Sequence, residues 1–274
     1  MDKRLLVAEL VVACTVMVSC APVMNYDNSL EPRFAGNFSD ERPDFDGTIK
    51  VVSYNISFAE NVDRAIHELT EFDELRGADI ILLQEMDEAG TELIAEALRY
   101  NFVYYPASVD SRHHKNFGNA ILSKWPINDS EKIILPYLSP RNRQRRIAVK
   151  AVINIEELKV LTYSVHIETF WLGRRKRDAQ MAFLVNSIDG VYQHAVVGGD
   201  FNTLTPKSIR ELEDRFDRIG MQRASTGTGC TITYPIFGFT LDHVFTKGMS
   251  ASRAGISGES EASDHLPIWV EVVP

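Results

Sequence analysis

The sequence predicts an α/β fold in which two mixed β-sheets stack face to face with helices outside, a four-layer α/β/β/α sandwich. Three observations lead there. From Thr48 onward, short aliphatic or β-branched runs alternate with segments whose apolar residues recur at helical spacing. Between Phe102 and Ile155 several strand-like runs follow one another without a helix, as hairpin strands do. After Lys159 the strand–helix–strand plan returns with no sequence repeat, so any symmetry is architectural. A chain of 274 residues, 45% of them apolar, can bury the core of one such domain.

Residues 1–20 stand apart. Lys3 and Arg4 form a short basic head, Leu5 to Val18 is mostly apolar, and Ser19-Cys20 resembles the processing site of bacterial lipoproteins. An exported, cell-envelope lipoprotein tethered to a membrane by a lipid on Cys20 is the expectation; an ordinary cleaved signal or a simple anchor is the alternative. No later apolar run is long enough for a membrane helix. Of three cysteines, Cys14 would leave with the signal and Cys20 would carry lipid, so Cys230 would stand alone without a disulfide. Its loop-like surroundings carry no base, which makes it a bystander. Residues 21–46, with scattered Pro, Asn, Asp and Gly, read as a tether, and 47–274 as the folded domain.

Within that domain, Ile49 to Ile56 is a strand, Val62 to Arg76 a helix, Asp79 to Leu83 a buried strand and Ala89 to Leu98 a second helix. Strands follow at Phe102–Pro106, Phe117–Ser123, Ile133–Leu135 and Ile147–Ile155. The second half brings strand Lys159–Val165, helix Arg175–Ile188, strand His194–Val197 and a helix from Pro206. Strands near Thr231–Tyr234, Leu241–Phe245 and Leu266–Val272 close the chain. The net charge of −9 survives loss of residues 1–20, because Asp2 and Glu9 offset Lys3 and Arg4. An acidic chain of this kind does not grip polyanions non-specifically, though local positive charge would suffice for turnover.

The chemistry gathers at strand ends. Gly198-Gly199-Asp200-Phe201-Asn202 sets a carboxylate and a carboxamide at the mouth of an apolar strand, the glycines leaving room for a turn and for close approach of a phosphate. Asn55 ends the first strand, Glu85 leaves an apolar run, His166 ends another, Asp242 opens one and Asp264-His265 lies near the C-terminus. Each has a plain structural reading: Asn55 as a turn former, Glu85 as an acid at a helix start, His166 as an edge histidine, Asp264 as a cap. Their joint recurrence at strand ends is what points to a site. His243 should alternate to the opposite strand face and stay outside it.

The motifs SYN, LLQEM, SVHI, GGDFN, LDHVF and SDHLPI, in that order from residue 50 to the C-terminus, resemble the endonuclease/exonuclease/phosphatase superfamily. The resemblance implies the stacked-sheet sandwich and Mg²⁺- or Mn²⁺-dependent hydrolysis of a phosphate ester by in-line water attack. Carried over position by position, it implies Glu85 as the metal carboxylate with Asn55 and Asp264 in support. Asp200 would orient or deprotonate the attacking water, and Asn202 would hold a phosphate oxygen or the nucleophile. His265 would sit at the scissile phosphate with its tautomer fixed by Asp242, and His166 would face the phosphate, as in the deoxyribonuclease-like and sphingomyelinase-like branches. Asn119 would lie near the substrate, and Arg177 with Gln180 repeats a spacing seen in the family.

The substrate is less legible. Three basic clusters, Arg112–Lys115, Arg141–Arg146 and Arg174–Arg177, are either solvated faces or local positive potential at the sheet mouth, with Arg146 and Arg177 as substrate-binding candidates. No aromatic stacking ladder is visible along the chain. A monomeric phosphodiesterase acting non-specifically on DNA or RNA is the leading expectation. The alternatives are a phospholipid or sphingomyelin phosphodiesterase, for which Phe170-Trp171-Leu172 is the one short membrane-inserting candidate, an inositol-phosphate phosphatase, and a non-catalytic binding lipoprotein.

Overall fold

The computed structural model describes residues 23–39, 43–234 and 237–274, so the signal-like residues 1–20 lie outside the described residues. Two mixed sheets stack as expected. One has seven strands, in the spatial order β1 (Phe34–Asn37), β4 (Asn101–Asp110), β5 (Lys115–Ser123), β3 (Ile80–Met86), β2 (Ile49–Asn55), β15 (Ile268–Val273) and β14 (Ser250–Ile256). The other has six, in the order β10 (Gln222–Arg223), β13 (Asp242–Lys247), β9 (His194–Asp200), β8 (Leu158–His166), β7 (Ile147–Ile155) and β6 (Ile127–Ile134). A hairpin of β11 (Ile232–Tyr234) and β12 (Phe237–Phe239) stands outside both.

Each sheet contains one parallel pair, β2–β3 in the first and β8–β9 in the second, and antiparallel partners otherwise. A helix joins each parallel pair: α1 (Val62–Glu71) in the first, α3 (Arg174–Ser187) in the second. This is the architectural symmetry of the two halves, and it sets the carboxyl ends of both parallel pairs at one edge of the sandwich. Helices α2 (Glu88–Leu98) and α4 (Pro206–Asp217) complete the outer layers.

Period-two alternation explains the layering. Val51, Leu82, Val149, Val196 and Val244 point between the sheets and form the central core. Their neighbours Val52, Ile81 and Leu83 pack against α1 and α2, while Leu161, Val197 and Phe245 pack against α3 and α4. Helix α1 ends at Glu71, earlier than its apolar spacing suggested, and the chain turns at Phe72 so that Leu75 drops into the core.

Two expectations are corrected. Residues 21–46 do not form a tether over their described part: β1 pairs with β4, and Met24, Tyr26 and Ser29 exchange backbone hydrogen bonds with Val109, Ala107 and Lys132. The buried ammonium of Lys132 donates to the Glu31 carbonyl at 2.9 Å and to that of Pro106 at 3.0 Å, so the segment completes a polar cluster that the domain cannot satisfy alone. The glycines of the Gly-Gly-Asp motif do not turn or receive a phosphate. Both lie inside β9, where a Cβ on Gly198 would meet Leu82 at 2.7 Å and one on Gly199, at φ +146°, would meet the Val165 carbonyl at 1.9 Å. They let β9 run close to the facing sheet and to β8.

Candidate active site

Side chains of both sheets converge at the edge where β2, β3, β8 and β9 end. On the second sheet, His166, Asp200 and Asp242 occupy paired register positions on β8, β9 and β13, and all three are buried. On the first, Asn55 ends β2 on the same inner face. Glu85 reaches that face by another route. Strict alternation would send it toward the helices with Ile81 and Leu83, but β3 carries an extra residue between Leu83 and Met86 and Glu85 adopts φ 58°. The bulge lets Gln84 and Glu85 both face inward, bringing Glu85 Oε1 to 3.8 Å from His166 Nε2.

The carboxylates meet through amides. Asn55 donates Nδ2 to Asp200 Oδ2 at 3.3 Å and accepts from the Ser57 amide at 3.0 Å. Asn202, also at positive φ (52°), donates Nδ2 to Asp200 Oδ2 at 3.1 Å and to the Ile167 carbonyl at 2.9 Å. With both amide hydrogens engaged, Asn202 offers Oδ1 to the cleft, an acceptor for a water rather than a donor to a phosphate oxygen. His166 Nε2 lies 3.5 Å from Asp200 Oδ2, and His265 Nδ1 donates to Asp242 Oδ2 at 2.8 Å.

Burial and these partners divide the charge. Burial raises the Glu85 carboxyl above its ordinary range, against the pull of Arg146 and His265. Burial, then the Asp242 charge, pushes Asp200 up to about 7. Burial, reinforced by Arg146 and His265, holds His166 well below the usual imidazole value, so it is neutral. For His265 burial opposes charge, but the Asp242 carboxylate outweighs it and raises the ring to about 10. At neutral pH the edge therefore carries an imidazolium beside a carboxylate poised to take a proton.

Not every expected residue reaches the cleft. Arg146 lines it, its guanidinium 5.1 Å from the Phe117 ring, with Nε held by the buried Glu168 at 3.2 Å. Asp264 lines it at the exposed rim. Asn119 does not: its Nδ2 donates to the Ile147 and Ser164 carbonyls of the facing sheet, which makes it a pin beneath the site. Arg177 does not either; it donates to the Asn202 carbonyl at 2.6 Å from a separate recess between α3 and α4, bracing the loop from behind. Gln180 is likewise spent on the Glu168 amide and the Pro136 carbonyl. His243 faces outward among Phe201 and Phe245, as alternation required.

Supporting residues also came to light that no motif marked. Gln84 donates to Ser164 Oγ at 3.0 Å, and Ser164 Oγ donates to the Leu83 carbonyl at 2.9 Å, a clasp across the sheets beside the Glu85 bulge. Glu68 of α1, buried, accepts from Tyr54 and from the amides of Glu261 and Ala262, fixing the loop that carries Asp264 and His265. Thr231 ties that loop to β13: its carbonyl accepts from Leu266 and its hydroxyl from the Leu241 and Asp242 amides. The buried position of Glu68 on the apolar stripe of α1 was the one available signal.

The donor set suits a hard divalent cation. Buried carboxylates at Glu85 and Asp200, with Asp264 beside Glu85, crowd negative charge that such an ion would relieve, and Mg²⁺ needs only one or two carboxylates with water completing its shell. Among the described residues no ready-made cage of three or more His, Cys, Asp or Glu side chains is present.

Comparison with known proteins agrees with this geometry. The sequence model of the Endonuclease/Exonuclease/phosphatase family matches residues 52–265. A UPF0294 protein of Vibrio vulnificus is 28% identical over 111 residues, which are 40% of this chain and 38% of that protein. Among solved structures, a mannosyl-6-phosphatase of Bacteroides thetaiotaomicron superposes with TM-score 0.64 at 17% identity, covering 82% of this chain and all of its own. Sphingomyelinase C from Streptomyces griseocarneus gives 0.61 at 18% identity over 82% and 99%. D. rerio TDP2 complexed with a single-strand DNA product gives 0.58 at 15% identity over 84% and 100%. At these identities the structures share the fold.

Proposed function

Since the chain belongs to the endonuclease/exonuclease/phosphatase family, we propose that it is a Mg²⁺- or Mn²⁺-dependent phosphodiesterase hydrolysing nucleic acid without sequence preference. The observation that carries this is the meeting of Glu85 from one sheet with His166 and Asp200 from the other, beside the Asp242–His265 pair. Asp200 takes a proton from a water that Asn202 Oδ1 orients. The His265 imidazolium, held by Asp242, compensates charge developing on the phosphoryl oxygens, and neutral His166 donates a hydrogen bond there. Glu85, with Asp264 and water, would hold the cation, which when bound would supply further charge neutralisation at the phosphate. Arg112, Arg141 and Arg146 around a cleft of about 850 Å³ provide local positive potential that the net charge of −9 conceals. On the same reading the N-terminal segment exports the chain and Cys20 carries a lipid anchor; Cys20→Ser should release it from membranes.

The substrate is tested by incubating the domain with Mg²⁺ or Mn²⁺ and plasmid DNA, RNA, sphingomyelin vesicles, phosphoinositides and a sugar phosphate. Cleavage of DNA or RNA supports the reading. Turnover of lipid or monoester alone removes the nuclease assignment and keeps the phosphoesterase one. No turnover of any of them, with Asp200→Ala indistinguishable, returns the chain to a binding role.

A further inference from the structure

We propose that Trp171, Phe170 and Arg141 form a stacking platform for an unpaired nucleobase next to the scissile phosphate, which makes single-stranded nucleic acid the preferred substrate class. The proposal rests on the phosphodiesterase reading above and narrows it.

Trp171 is 54% and Phe170 51% exposed, and their ring centroids lie 4.6 Å apart. Both line the same cleft as Asp200 and His265. The Arg141 guanidinium, thirty positions earlier in the chain, sits 5.3 Å from the Trp171 ring centroid. On the side of the first sheet the pattern recurs: Phe58 lines the cleft with the Arg112 guanidinium 4.5 Å from its centroid. A flat aromatic face beside a guanidinium suits a base attached to a phosphate, the ring stacking and the cation meeting the backbone. The same pairing disfavours a choline headgroup on Trp171 or Phe58, because a guanidinium already lies over each of these two rings and would repel the quaternary ammonium. The position of the rings argues in the same direction. They wall a concavity instead of projecting from a tip, as a membrane-inserting segment would require.

Trp171 also supplies the probe, since the other two tryptophans, Trp125 and Trp269, are 2% and 8% exposed. Tryptophan fluorescence of the Asp200→Asn protein is titrated with a twelve-residue oligothymidylate and with a tetrahydrofuran oligomer of the same length, which keeps the phosphates and lacks the bases. The platform predicts quenching and tighter binding by the oligothymidylate, by roughly 5- to 150-fold per stacked base, from about 1–3 kcal/mol at 1.4 kcal/mol per tenfold. With the same oligomers carrying a fluorescein label and binding read by fluorescence anisotropy, Trp171→Ala should abolish that preference without changing affinity for the baseless oligomer, and Trp171→Phe should keep part of it. Equal affinity for both oligomers, or a Trp171 response only to phosphatidylcholine–sphingomyelin vesicles, overturns the proposal. The parent reading fails separately. Base-dependent binding without Mg²⁺- or Mn²⁺-dependent cleavage by the wild type leaves the platform and removes the phosphodiesterase. Cleavage indifferent to Trp171→Ala does the reverse.

Discussion

Asp242→Asn isolates the electrostatic part of the proposed mechanism. The substitution keeps the shape of a side chain that is 1% exposed and can still accept the 2.8 Å bond from His265 Nδ1, but it removes the negative charge. In the wild type that charge lifts His265 to about 10 against the opposing effect of burial. Without it, only the smaller effects of the Asp200 and Asp264 carboxylates still oppose burial, so the ring should fall toward its ordinary 6.5, by up to about three units and so up to about 4 kcal/mol less stabilisation of the imidazolium. At pH 8 a ring that reached that ordinary value would be charged in only about 3% of molecules, so kcat/KM should drop by up to ~30-fold from loss of charge. The deficit should shrink toward pH 6 and grow about tenfold per pH unit above it, to a ceiling of roughly 10²–10³, the cost of deleting one oxyanion donor. Stability follows the same sign. The folded-state value is raised, so the pair stabilises fully below 6.5 and its contribution disappears as pH rises through about 10; the variant should melt lower at pH 6–8 and match the wild type above 10. Paired pH–rate profiles and imidazole NMR titrations supply the test. Parallel profiles, or a wild-type His265 ring that is neutral at pH 8, would refute the reasoning.

Three further outcomes are expected. Burial lifts Asp200 from 3.8 to about 7, so its native-state cost appears as pH rises through that window; the melting temperature of Asp200→Asn relative to wild type should therefore climb by several degrees between pH 4 and pH 8 in calorimetric scans, at roughly 2–4 °C per kcal/mol, on top of a pH-independent loss from the amide donors that Asp200 accepts. Gly199→Ala puts a Cβ 1.9 Å from the Val165 carbonyl at φ +146° and should cost about 3 kcal/mol or more in chemical denaturation, or prevent folding. A chain starting at Thr48 should be less stable than one starting at Val23, by about 1.5–3 kcal/mol for the lost Lys132–Glu31 hydrogen bond alone, compared by the same unfolding curves.

Strands with apolar alternation or continuous burial were legible, and β7 falls at the expected residues 147–155. Strands without that pattern were not. Ser250–Ile256 is exposed over its first four residues and sets only Ala254 and Ile256 against the core, and Phe34–Asn37 is an edge strand amid Pro and Asp. Asn55, Asp200, His166 and Asp242 stand at strand ends as their runs placed them, and His265 joins them from the loop before β15. Glu85 is there through a bulge that alternation alone would have forbidden. Asn119 and Arg177 went the other way, because the Asn119 amide and the Arg177 Nη2 are drawn to carbonyls that come from distant parts of the chain. The pairing of Arg141 with Trp171 was invisible for a like reason: thirty residues separate them, and only the closing of two loops over one edge brings them together.

The most direct test of the central claim is the rate of hydrolysis of bis(4-nitrophenyl) phosphate by wild type and Asp200→Asn across a titration of Mg²⁺ and Mn²⁺. A wild-type rate that rises with the cation and falls by at least about 10³ in the variant, the order of a lost proton acceptor, is the predicted result. Equal rates for the two proteins, or a wild-type rate indifferent to both ions, would contradict it.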